Sequence, residues 1–198
     1  MEKITMRERI LASALKLFSE KGYAGVSVDQ IAEAVGIKGP ALYNHFKGKE
    51  SILNALGDVV EHHYQAYIAK SGEELQNAET LEDVITLSLE QFSFLLQDPL
   101  MVRIRRMVYM EQFRSPRFAE LASYHLFQGQ YELYRGIFEA LIAKGLLRQE
   151  DPAMLALHYV SPVSVLMQLS DRETEKRSAV LKQIQAHVAD FMNLYGQA

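Results

Sequence analysis

An all-α fold follows from two features of this 198-residue sequence. Apolar residues recur at three-to-four spacing almost throughout, and the strict alternation of a half-buried strand is nearly absent. Gly and X-Pro steps punctuate the periodic runs: Gly22, Gly36, Ser71-Gly72, Asp98-Pro99, Ser115-Pro116, Gly145 and Asp151-Pro152. The composition, 48% hydrophobic and 23% charged, supplies enough apolar material for a sizeable core and argues against disorder. There is no cysteine, which excludes disulfides and cysteine-zinc sites and is compatible with a reducing cytosol. Met1 to Arg9 is polar and charged, so no signal peptide is expected. The longest apolar stretch, Met154 to Leu169, is interrupted by His158, Pro162 and Gln168 and reads as too short and too polar for a membrane span. A cytoplasmic protein is the expectation.

The first predicted helix runs from Ile4 to Lys21, with Ile10, Leu11, Ala14, Leu15 and Phe18 on one face and Gly22 as its stop. A second is predicted from Val28 to Val35. Ser27 can cap it, Gln30 completes a capping box, Val26 can staple onto Ile31, and Gly36 ends it. A short third helix is predicted from Pro40 to about Phe46, with Pro40 at the first helical position, where a missing N–H costs nothing. A fourth is predicted from Lys49 to about Lys70, stopping at Ser71-Gly72. The body should hold helices near Thr80–Gln97, Leu100–Phe113, Pro116–Lys144 with a break near Gln128-Gly129, Pro152–Leu169 and Thr174–Tyr195. No repeat or low-complexity segment is visible.

Residues 28–45 have the spacing of a helix-turn-helix. Ala32 is small where two helices must approach, Gly36 supplies a left-handed turn, and Ile37 and Leu42 are apolar plugs. At steps of about 100° per residue, Leu42 and Phe46 share a buried side of the third helix, leaving Pro40, Ala41, Tyr43, Asn44 and Lys47 on the remaining arc. Asn44 can hydrogen-bond to base edges, and Ala41 or Pro40 can touch a thymine methyl. Lys38 precedes the helix, within reach of a base or a phosphate. His45 flanks the buried side, which leaves it between a packed histidine and a phosphate contact. Lys49 stands at a helix N-terminus, where the dipole disfavours a cation; a bound phosphate would remove the conflict, and a solvated lysine is the bland alternative. Charge is unevenly shared: residues 1–50 hold eight Lys/Arg and six Asp/Glu, and the remainder thirteen and nineteen.

The string from Gly36 through Tyr43-Asn-His-Phe-Lys-Gly-Lys49 to Leu53 resembles the recognition helix and the start of the fourth helix in TetR-type regulators. The resemblance is specific over about residues 5–60 and weaker beyond. It implies that Ser27, Tyr43, His45 and Lys49 grip phosphates, and that Lys38, Gly39, Pro40, Ala41 and Asn44 lie against bases. It also implies a DNA-binding head at residues 1–47, a ligand-binding and dimerisation domain at residues 48–198, and homodimeric repression of a pseudo-palindromic operator, relieved by a small effector.

The predicted helix at 152–169 is apolar nearly all round, so it needs cover on more than one side. A partner chain through Tyr159, Val163, Leu166, Ile184, Val188 and Phe191 is one cover, and a central position in a monomer is the other. The middle helices are dense in aromatics and methionines. Tyr64, Tyr67, Phe92, Met101, Arg105, Met110, Phe113, Tyr124, Phe127, Tyr131, His158 and Tyr159 suit either plain core or a mostly apolar pocket for a hydrophobic or amphipathic effector, in which an arginine could meet an anionic head group.

Enzyme readings find little support. His62 and His63 are adjacent and point to different faces, and no other histidine has a partner at metal-ligand spacing. There is no Gly-rich phosphate loop outside the helix-turn-helix and no nucleophile-elbow serine. No metal and no cofactor is expected. Two alternatives stay open at this level: an all-helical interaction module without DNA binding, and a small helical enzyme using the body pocket.

Overall fold

A computed structural model describes residues Ile4–Gln197. Among these residues all extended regular structure is helical, with one isolated bridge between Leu147 and Gly196. The helices are α1 Met6–Lys21, α2 Val28–Ala34, α3 Gly39–Leu42, α4 Lys49–Gln76, α5 Leu81–Gln97, α6 Pro99–Glu111, α7 Pro116–Ser123, α8 Gly129–Ala143, α9 Pro152–Arg172 and α10 Arg177–Tyr195. A π-turn at Tyr124–Gln128 joins α7 to α8, and a 3₁₀ turn at Thr174–Lys176 precedes α10. The described residues fall into two compact units. One comprises residues up to His63 with Arg103–Ala122; the other comprises Tyr64–Val102 with the residues from Ser123 onward. Both α4 and α6 pass from one unit to the other without a break in the helix, so compactness does not divide the chain at residue 47.

Local chemistry accounts for the helix starts. Thr5 and Glu8 form a capping box on α1, Ser27 and Gln30 on α2, and Thr80 and Asp83 on α5. The backbone N–H and hydroxyl of Thr5 hold the Glu8 carboxyl below its ordinary pKa, and the hydroxyl and N–H of Thr80 do the same for Asp83. Asp151 caps α9 by accepting from the Ala153 N–H at 2.9 Å.

Several helix boundaries differ from the sequence expectation. Helix α4 continues past Ser71-Gly72 to Gln76, because both residues are buried rather than solvated. A Cβ on Gly72 would stand 3.3 Å from the Leu133 side chain, so the glycine marks a close approach and not a stop. Helix α3 is a single turn, continued to Phe46 by Asn44 N–H to Ala41 and His45 N–H to Leu42 bonds of tighter pitch. The expected break near Gln128-Gly129 is instead the end of the π-turn, where the Gly129 N–H bonds to the Tyr124 carbonyl.

The core of the second unit is aromatic. Phe92, Tyr134, Phe138, Tyr159 and Phe191 are buried, with Tyr134 and Tyr159 ring centroids 4.7 Å apart and Tyr159 and Phe191 4.8 Å apart. This corrects the expected partner-facing set. Tyr159, Val163, Ile184, Val188 and Phe191 are all buried within one protomer and Leu166 is half-buried, so they hold α9 and α10 to their own core. The outward stripe of α9 is Met154, Leu157, His158, Pro162 and Val165, the last 61% exposed. Small residues Ala179, Ala186 and Ala189 are exposed on α10. With 21 residues and a mean hydropathy of 1.3 over its most apolar window, α9 is long and apolar enough to cross a membrane, which corrects the reading of this stretch as too short. The helix extends to Arg172, three residues beyond the expected end, and 39% of that window is buried in the protomer.

Candidate nucleic-acid interface

The turn between α2 and α3 is built by backbone hydrogen bonds. The Ile37 N–H reaches back to the Ala32 carbonyl at 3.0 Å, and the Gly36 N–H reaches the Glu33 carbonyl at 3.0 Å. This is the Schellman arrangement, and it needs a left-handed residue at its end. Gly36 fills that place with φ +75°. A side chain there would cost about 1 kcal/mol through strain alone, since no neighbouring atom lies in its way. At Gly39 the exposed Asp29 carboxylate occupies the place a Cβ would take, so a side chain there would displace it. Ala32 and Leu42 are fully buried as expected, while Ile37 is only half-buried.

This frame presents the nine residues expected to meet DNA as follows. Ser27, Lys38, Pro40, Tyr43, Asn44 and His45 are exposed; Gly39, Ala41 and Lys49 are half-buried. Tyr43 keeps 56% of its surface exposed, although a tyrosine of its size would gain from burial. His45 faces solvent, so it is not a packed core histidine. The Ser27 hydroxyl accepts from the Gln30 N–H at 3.2 Å, so its first role is the cap of α2.

Lys49 departs from both sequence readings. Its Nζ donates to the carbonyls of Tyr23 at 2.8 Å and Val26 at 2.7 Å, and it lies 4.2 Å from the centre of the Tyr23 ring. Two of its three N–H donors therefore hold the α1–α2 loop. It is neither a solvated lysine nor, in this conformation, a free phosphate grip. Sequence reasoning missed the other residues that brace this unit. Arg9 donates to the Val35 carbonyl at 3.0 Å at the end of α2. Buried Glu111 of α6 accepts from the Tyr23 N–H at 2.9 Å, on the same loop that Lys49 holds. Burial, then the charges of Glu50 and Glu111, push the Tyr23 phenol pKa upward. Arg117 at the start of α7 donates to the Asn54 carbonyl and pairs with Asp58, its guanidinium lying where a Cβ of Gly57 would stand. None of these pairs has a local sequence signal, because the partners are 23 to 88 residues apart.

The residues expected to line a pocket divide by burial. Tyr64, Phe92, Met101, Arg105 and Tyr159 are buried, and Tyr67, Phe127 and Tyr131 are half-buried. Met110, Phe113, Tyr124 and His158 are exposed, Phe113 to 91%, so they do not line a protomer interior. Phe113 lies past the end of α6, and His158 falls on the outward stripe of α9. Three residues not expected here do lie inside the second unit: Ser88, His125 and Gln130. Ser88 lies beside the fully buried phenols of Tyr134 and Tyr159, whose pKa values burial drives well above the usual tyrosine range. His125 stacks on Tyr64 with ring centroids 4.2 Å apart, and burial pulls its pKa down to about 4. No group of three or more metal-ligating side chains occurs among the described residues.

Comparison with known proteins agrees with this frame. The family profile described as bacterial regulatory proteins, tetR family, matches residues 10–56. The profile of the AefR-like transcriptional repressor C-terminal domain matches residues 83–197. The chain is 24% identical over 194 residues to the probable HTH-type transcriptional regulator YttP of Bacillus subtilis, covering 98% of this chain and 89% of that one. It is 51% identical over 47 residues to IcaR, the negative transcriptional regulator of the icaADBC biofilm operon in Staphylococcus aureus, covering 24% of this chain and 25% of IcaR. Among solved structures, SmeT of Stenotrophomonas maltophilia in complex with triclosan superposes with a TM-score of 0.74 at 20% identity, over 96% of this chain and 91% of SmeT.

Proposed function

Since the chain belongs to the TetR family of bacterial regulatory proteins, and is a DNA-binding transcriptional regulator and not an enzyme, we propose that it is a homodimeric repressor released from a pseudo-palindromic operator by a small molecule. The observation that carries this reading is the braced but exposed end of the helix-turn-helix. Lys38, Tyr43, Asn44 and His45 face solvent beside a turn held by the Gly36 and Ile37 N–H bonds. Asn44 has the donor–acceptor pair that reads adenine, and Pro40 and Ala41 offer apolar contact to a thymine methyl. Lys38, Tyr43 and His45 supply donors to phosphates and base edges. The head at residues 1–47 performs this role and residues 48–198 the regulation.

Dimerisation is supported by the outward stripe of α9, a mostly apolar row from Met154 to Val165, and by the small residues exposed on α10. A second copy of the chain covers this row, and lipid does not. Two recognition helices then meet grooves about 34 Å apart, one turn of the duplex. Ligand relief is supported by SmeT, a repressor solved with triclosan bound, and by the buried group of Tyr64, Phe92 and Tyr159 in the second unit. The effector is hydrophobic or amphipathic, and occupancy lowers operator affinity roughly 5–150-fold, the usual range of such coupling.

Selection of bound duplexes from a random pool tests the DNA reading. A dyad-symmetric consensus is expected, bound by two protomers. Selected sequences without a dyad, or no binding at low salt, would overturn it.

A further inference from the structure

The π-turn at Tyr124–Gln128 places two unpartnered polar side chains inside the second unit. Gln130 is 7% exposed, yet neither its amide oxygen nor its amide nitrogen has a hydrogen-bond partner among the described residues. His125 is 6% exposed and its Nδ1 is likewise without one. Each such group costs about 1–3 kcal/mol when buried unmade, so a fold that keeps three of these atoms within six residues has a use for them. His125 lies in the π-turn and Gln130 two residues past its end, in the first turn of α8, and both are buried in the same unit. Gly129 sits between them, its Cβ position 3.2 Å from the Tyr124 carbonyl, and this lets the wide turn pack. Tyr64 covers one face of the His125 ring.

Neither Gln130 nor His125 carries a charge to match an ion. Ser88, Gln91, Tyr134 and Tyr159 are other buried polar groups of this unit, and burial keeps both phenols protonated. His125 is a neutral imidazole at pH 7. The buried carboxylate of this unit, Asp171, lies three turns along α9 from Tyr159 and has a partner of its own. A charged head group would find no counter-ion in either of these two side chains, and burying it unpaired costs several kcal/mol.

We infer that Gln130 and His125 form the polar end of the effector site, and that it takes an uncharged amphipathic molecule whose head carries both a hydrogen-bond donor and an acceptor, such as a primary amide. The amide of Gln130 matches such a head in both directions, and Nδ1 of His125 gives it a third bond. The aromatic side chains around Phe92 and Tyr134 then take the apolar body. This inference rests on the ligand-relief reading but fails separately from it.

Titration calorimetry of the full-length protein with three matched probes decides it: octanamide, octanoate and octyltrimethylammonium, alike in chain and different in head charge. Octanamide is expected to bind at least tenfold more tightly than either ion. The Gln130→Leu and His125→Phe variants are expected to lose at least tenfold in octanamide affinity, His125→Phe keeping the stack on Tyr64. Gln130→Leu should melt at or above the wild-type temperature, because no bond is lost. No octanamide binding, equal binding of an ionic probe, unchanged affinity in both variants, or a clearly lowered melting temperature for Gln130→Leu would each overturn the inference. Octanamide binding that leaves operator affinity unchanged supports the site and removes ligand relief by this class. Operator release by another compound, unaffected in Gln130→Leu, keeps ligand relief and removes this site.

Discussion

Replacing Lys49 by Met separates two roles that the sequence leaves open. The substitution keeps the aliphatic stem and deletes the ammonium. The carbonyls of Tyr23 and Val26 lose donors at 2.8 and 2.7 Å, and the Tyr23 ring loses a cation 4.2 Å from its centre. Hydrogen bonds to a charged group contribute about 1.5–3 kcal/mol each, and a partly exposed cation–π contact about 0.5–1 kcal/mol. Water can reach part of this half-buried site and replaces some of the loss, so the expected destabilisation is about 2–4 kcal/mol. In a chain of this size each kcal/mol shifts Tm by about 2–4 °C, which places the variant roughly 5–15 °C below wild type by calorimetry. Operator affinity is then measured across salt concentrations, below the variant's Tm. A lysine that neutralises a phosphate contributes about 0.9 to the slope of log affinity against log salt. Because Lys49 holds the loop, the slope should stay at its wild-type value while affinity falls through a loosened α1–α2 loop. Lys38→Met, at an exposed position, is the control in which the slope should flatten. An unchanged Tm with a slope flatter by about 1 per protomer would refute the reasoning and return Lys49 to the phosphate backbone.

Val165→Glu should give a folded monomer at micromolar concentration by sedimentation, because Val165 is 61% exposed; Val163→Glu should instead unfold the protein, because Val163 is 2% exposed, and matching behaviour of the two would contradict the proposed face. Asn44→Ala should lose about 1–3 kcal/mol of discrimination at one base pair of the selected operator, read by binding to single-site variants, with a uniform loss at all positions counting against base readout. His125 makes stability fall with acid: its folded pKa of about 4 lies below the ordinary 6.5, so between those values the unfolded chain binds more protons. Stability should be full above pH 6.5 and decline toward pH 4, by at most about 3 kcal/mol from this group. His125→Phe should remove that part of the slope in denaturant titrations, and an identical pH profile for the variant would show that another group carries it.

The helix-turn-helix was legible because its constraints are local. The Ser27–Gln30 box, the left-handed Gly36 and the buried Leu42 each act within a few residues, where backbone geometry leaves little choice. The capping boxes at Thr5 and Thr80 were equally local and were overlooked, although both have the Thr-x-x-acid pattern. Ser71-Gly72 was misread as punctuation, since a glycine stop and a glycine at a close helix approach look alike in one dimension. The pocket residues were less legible. Phe113 is exposed and Gln130 is buried, an inversion of their hydropathies that no periodicity predicts.

By itself the sequence determined that the chain is helical, about where most helices begin, and that residues 28–45 form a helix-turn-helix, because caps, turns and helical periodicity depend on neighbours three to five positions away. The tertiary structure alone decided which side of α9 faces inward. That helix is apolar nearly all round, so its pattern holds no vector, and only packing against α8 and α10 buries Tyr159 and Val163 while leaving Leu157 and Val165 outside. It alone also decided what Lys49 and Glu111 do. Their partner loop at Tyr23–Val26 is 23 to 88 residues away in the chain, and only the assembled core brings an ammonium and a carboxylate to the same few backbone groups.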